Sequence, residues 1–95
     1  MADTDSELRP RIRAAVGEVL RTDLRPEADD TPLGQTYEQY DSLAVLDTVG
    51  LIERAFDVSV DLVDDDLRTT FVSVASIERL VRRKQADQAV LGGGF

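Results

Sequence analysis

This 95-residue chain predicts an all-α fold, a bundle of three longer helices plus one short helix, with a long loop between helices one and two. Three observations carry that expectation. Apolar residues recur every three or four positions in three separate segments, the spacing that gathers them on one face of a helix. A serine or aspartate stands before each segment, where its side chain accepts from the first backbone N–H groups. The one stretch that alternates like a strand, Val58 to Leu62, has no comparable partner, so a sheet is not expected.

The first helix is expected from about Ser6, its N-cap, to about Thr22, with Leu8, Ile12, Ala15, Val16, Val19 and Leu20 turned to the core. Pro10 falls in its first turn on this reading, and Gly17 weakens the interior only modestly. Asp23 to Tyr40 holds Pro26, Asp29-Asp30, Pro32 and Gly34, turn formers that predict a loop without helix or strand. Leu33, Tyr37 and Tyr40 are its candidate anchors. The second helix is expected over Ser42 to Phe56, with Val45, Val49, Ile52 and Phe56 as a narrow core stripe.

Leu43, Leu46 and Gly50 fall beside that stripe, alongside Asp47 and Arg54. Apolar residues mixed with charge in this way suit a face that docks a partner, although the same leucines could simply widen the core face. Val58 to Leu62 then reads as an extended linker that tucks Val58 or Val60 into the core. Asp64 to Asp66 precede a short helix at Leu67 to Thr70, acids at its positive end. Ser73 caps the last helix, with Val74, Ile77, Leu80 and Val81 inward and Arg82, Arg83 and Lys84 toward its carboxyl end. Residues 1–84 therefore form a single domain, and 85–95, which lose the pattern, are expected as a disordered tail.

Net charge is −8, and its distribution is uneven. Residues 41–66 hold eight acids against one base, Arg54, while the remainder of the chain is nearly balanced. Such a segment steers basic partners and disfavours nucleic acid, whose phosphates call for Lys and Arg. An acidic surface that only keeps a small domain soluble is the plainer alternative. The chain has neither Cys nor His, which excludes a disulfide framework and removes the usual zinc ligands. No segment is apolar enough for a secretory signal or a membrane span, so the expected location is cytoplasmic and the expected state a monomer.

Asp41-Ser42-Leu43 opens the second helix inside the acidic segment. A serine nucleophile needs a general base, and here there is no His and only one Lys, Lys84, on another helix. Catalysis is not expected. Asp57, Ser59 and Asp61 occupy positions one, three and five of a calcium-loop register, which then fails at Leu62 and Arg68. Ser42 is left as a simple cap or as a site modified by another enzyme, at a helix start that favours an attached phosphate. Asp41 competes for the cap and frees the serine hydroxyl to face outward.

From Leu8 to Arg82 the chain resembles the acyl carrier proteins. The resemblance is strongest in Asp41-Ser42-Leu43 with Val45, Val49, Ile52, Glu53 and Phe56-Asp57, and extends through Asp61 and Thr69-Thr70 to Ser73-Val74. It implies a four-helix carrier domain in which Ser42, next to Asp41, receives 4′-phosphopantetheine from coenzyme A through a magnesium-dependent phosphopantetheinyl transferase. The arm would hold acyl intermediates as thioesters. Leu43, Leu46, Asp47, Gly50 and Glu53 match the positions that such carriers present to ketosynthases, acyltransferases or ligases. The chain departs from the family with Gln39-Tyr40 where a glycine is common, and with Gly50 and Arg54 where a large apolar residue and an acid are frequent. Asp41 favours acyl over aminoacyl or peptidyl cargo. A polyketide or other specialised pathway, or fatty-acid synthesis, would supply it, and an unmodified acidic adaptor domain is the alternative of another class.

Overall fold

The computed structural model describes the backbone of residues 2–62 and 65–93, and the side chains of residues 8–62 and 65–87. Among the described residues five α-helices follow in order: α1 (Ala2–Leu20), α2 (Leu33–Thr36), α3 (Ser42–Phe56), α4 (Leu67–Thr70) and α5 (Val74–Gly93). A single 3-10 turn, Pro26–Ala28, lies in the loop between α1 and α2. No strand occurs among the described residues. The three long helices, α1, α3 and α5, bury one aliphatic core in which Ile12, Val16, Ile52, Ile77 and Val81 are wholly enclosed.

α1 begins earlier than the sequence predicts, at Ala2 rather than near Ser6. Pro10 is consequently inside the helix rather than in its first turn. At the other end Arg21 adopts a left-handed φ of 58° and the Thr22 N–H reaches back to the Gly17 carbonyl at 3.1 Å. A Cβ on Gly17 would lie 2.6 Å from the Thr22 carbonyl oxygen. Gly17 is therefore required where the sequence shows only a weak point, because the chain turns back across it.

The loop after α1 is built rather than open, and a four-residue helix, α2, stands where the sequence predicts none. Its anchors reach the start of α5. The Leu33 N–H donates to the Val72 carbonyl at 2.8 Å, the Tyr40 hydroxyl donates to the Phe71 carbonyl at 2.5 Å, and the Ala75 N–H donates to the Asp29 carbonyl at 3.0 Å. Leu33 is buried, with Tyr37 and Tyr40 packed against the core. These contacts fix the strand of chain that leads into Ser42.

α3 has the predicted limits, and Val49, Ile52 and Phe56 face inward. Its buried side is rotated toward Ala44 and Thr48, leaving Val45 half-buried. Thr48 tolerates full burial because its hydroxyl donates to the Ala44 carbonyl at 2.7 Å. Asp57, at φ 54°, closes the helix, and Val58 and Val60 both enter the core, where the sequence leads one to expect one or the other. Arg11 caps this end from α1, its Nη2 2.6 Å from the Ala55 carbonyl and its guanidinium 4.4 Å from the Phe56 ring centroid.

Asp66 caps α4 by accepting from the Arg68 N–H at 3.0 Å. A reciprocal pair opens α5, Ser73 Oγ accepting from the Ser76 N–H and Ser76 Oγ from the Ser73 N–H. The expected tail is a correction: α5 runs on through residue 93. Gln85 to Leu91 contain neither Gly nor Pro, so nothing in them ends a helix already nucleated by packing. Residues 94 and 95 lie outside the described residues.

Candidate functional site

Ser42 is the first residue of α3 and is exposed. The cap belongs to Asp41, whose extended backbone (φ −101°, ψ −171°) lets its carboxylate accept from the Ala44 N–H at 3.0 Å. Its carbonyl also takes the Val45 N–H at 2.9 Å. The Ser42 hydroxyl is thereby spared from holding the helix together, and it makes no hydrogen bond among the described residues.

Two adjoining clefts open on that serine. The larger, about 430 Å³, runs between α2 and α4 and includes Pro32, Tyr40, Asp41, Val45 and Phe71. The smaller, about 300 Å³, is almost wholly apolar and is formed by Val45, Leu46 and Leu67 with Arg68 at its edge. Tyr40 is no proton acceptor for the serine: burial pushes its phenol well above the usual range, and its hydroxyl is spent on Phe71. Lys84 is held 2.7 Å from Asp65. A further cleft, about 810 Å³, lies along α1 at Arg13, Gly17 and Arg21 and shares no residue with these two.

Along α3 the predicted docking residues divide. Leu43 and Leu46 are 73% and 49% exposed, unusual for leucines in a domain this small, and Asp47 stands exposed between them and Gly50. Gly50 is half-buried, and a Cβ there would meet only the Arg54 Nη1 at 3.8 Å. Glu53 is turned inward instead, its carboxylate accepting from the Val60 N–H at 2.8 Å. That bond fixes the linker after α3. Arg68, which the sequence marks only as the residue that breaks a calcium register, reaches both clefts at Ser42. No spacing rule could have found it, because α4 meets α3 only through the fold.

Among the described residues no group of three or more acids is placed to hold a metal ion, and no helix is long and apolar enough to cross a membrane. The fold and site define a small all-helical bundle with an exposed serine at the mouth of its third helix. No protein-family model matches this chain, and neither the curated proteins nor the solved structures yield a match.

Proposed function

We propose that this protein is an acyl carrier, with Ser42 as the attachment point for 4′-phosphopantetheine. The observation that carries the reading is the division of labour at the start of α3. Asp41 makes the cap, so Ser42 can be esterified without removing a bond the helix needs. The surroundings suit the group: the hydroxyl is exposed, the helix start favours an anion, and an apolar groove adjoins it.

In this reading the Ser42 oxygen forms a bond to phosphorus of coenzyme A, the pyrophosphate P–O bond breaks, and the nucleotide half leaves. The transferase takes the hydroxyl proton, since the chain holds no histidine to do so. Once attached, the arm supplies a thiol that carries an acyl chain as a thioester. Leu43, Leu46, Asp47 and Gly50 form the surface shown to the transferase and to acyl-loading and acyl-processing enzymes, with apolar contact at the centre and acidic charge for orientation. The resemblance and Asp41 favour acyl cargo from a polyketide or fatty-acid type of pathway over aminoacyl cargo.

The test is direct. Incubation with coenzyme A, magnesium and a permissive transferase adds one phosphopantetheine by intact mass, and Ser42→Ala abolishes the gain. An unmodified wild type, or an equal gain in Ser42→Ala, rejects the proposal. An acidic adaptor makes the opposite prediction: Ser42→Ala keeps its cellular activity, and charge reversal at Asp47 destroys it.

A further inference from the structure

Among the described residues the two clefts at Ser42 carry a single cation. Arg68 is the only base among their described lining residues and borders both of them, while Asp41 is the only acid among those residues and is occupied as the cap. The Arg68 side chain is 91% exposed. Its one described ion pair is with Asp66, Nε to Oδ1 at 3.4 Å, and the same oxygen already accepts the Arg68 backbone N–H at 3.0 Å. An exposed pair of this length, sharing its acceptor, contributes little. Both Nη groups stay without a partner among the described residues.

Four other arginines are used differently. Arg9, Arg13, Arg82 and Arg83 each lie against a buried carboxylate, of Asp29, Glu78 or Asp65. Arg68 instead stands beside an apolar groove where an added anion meets the like charge of Asp41. A guanidinium fork there offsets that repulsion and matches two oxygens of a phosphate.

We propose that Arg68 binds the phosphodiester of the Ser42-borne arm and so fixes the root of the arm above the groove of Val45, Leu46 and Leu67. This inference rests on the carrier reading, and the experiment separates the two. The full chain is modified with coenzyme A, its mass is measured, and the arm is kept as the free thiol so that the phosphodiester is the only anion added. The arginine Nε–H resonances and the 31P line are then recorded.

Modification shifts the Arg68 Nε–H resonance and leaves that of Arg54, the exposed arginine on α3, in place. The 31P line of modified Arg68→Gln differs from wild type, and Arg68→Lys restores only part of the difference because an ammonium lacks the fork. Arg68 is too exposed for either variant to disturb folding, and backbone amide spectra verify it. A full mass gain with an unmoved Arg68 resonance and identical 31P lines overturns this inference and leaves the carrier reading standing. Absence of any mass gain in the wild type overturns both.

Discussion

The side of the molecule where α1 meets α5 and the side formed by α3 and α4 spend their charges in opposite ways. On the first, Asp29 is 4% exposed and takes Arg13 through two hydrogen bonds of 2.9 and 3.1 Å. Arg9 bridges it to Glu78 on α5, which also holds Arg82. On the second, Asp41, Asp47 and Asp66 sit exposed beside bare leucines, with Arg54 and Arg68 as the bases near them. Buried charges survive only when paired, so the first side is committed to the fold. The second leaves its charge and apolar surface available to something outside the chain.

Acid should disable the committed side as a whole, the largest effect expected. Burial alone would raise the Glu78 carboxyl, but hydrogen bonds and charge from Arg9 and Arg82 outweigh it and hold it below its usual range. Away from that side, Asp65, just before α4 and held against α5, is likewise lowered against its burial, by Lys84, the Asp61 N–H and Arg83. Carboxyls depressed in the folded state contribute fully above the ordinary carboxylate range, near pH 4, and lose that contribution as pH falls through their lowered values. Urea midpoints measured from pH 7 downward should therefore hold until about pH 4 and then fall. A midpoint that declines steadily from neutrality would place the sensitive groups elsewhere.

Asp29→Asn isolates one part of that side. It strands the Arg13 guanidinium next to a neutral amide, and removing one partner of a buried pair costs about 3 kcal/mol. Asp47→Asn, in the open face, should stay within about 0.5 kcal/mol. Equal effects in chemical denaturation would erase the contrast between the two sides.

How far the sequence shows this division depends on how local each feature is. The limits of α3 were legible because Asp41 and Asp57 act within a turn of their helix ends, and the exposure of Leu43 and Leu46 follows from helical periodicity. The turn at Leu33–Thr36 was not, since its first N–H is held by Val72, far along the chain. Glu53 counts as a docking acid only through the family resemblance, not through helical spacing, and the linker folds back to within 2.8 Å of its carboxylate. Arg68 was invisible for the same reason: the groove exists only once α4 packs beside Ser42.

Two glycines sharpen the comparison. Gly17→Ala drives a Cβ to within 2.6 Å of a backbone oxygen that cannot rotate away, a cost of about 2 kcal/mol despite the better helix propensity. Gly50→Ala meets only the Arg54 guanidinium, at ordinary contact distance, and should gain about 0.5–1 kcal/mol. The helix thus gives up stability at Gly50 for no internal packing reason. If Gly50 instead serves close approach by a partner, Gly50→Ala should raise the melting temperature while slowing modification of Ser42, and a variant that is stabilised and modified at the normal rate would remove Gly50 from the docking face.

The smallest effect concerns the first turn of α3, where two adjacent polar residues have different duties. Asp41→Ala removes the acceptor of the Ala44 N–H, an exposed cap worth about 1 kcal/mol. Ser42→Ala removes a hydroxyl with no bond in the described structure and should change stability by less than about 0.5 kcal/mol. The pair is informative because the two substitutions rank oppositely for stability and for modification: Asp41→Ala should weaken α3 yet leave an acceptor oxygen, whereas Ser42→Ala should leave α3 intact and accept nothing. If Ser42→Ala proves the more destabilising of the two in thermal unfolding, the serine is the true cap, its oxygen is committed to the helix, and the separation of roles on which a carrier would depend is lost.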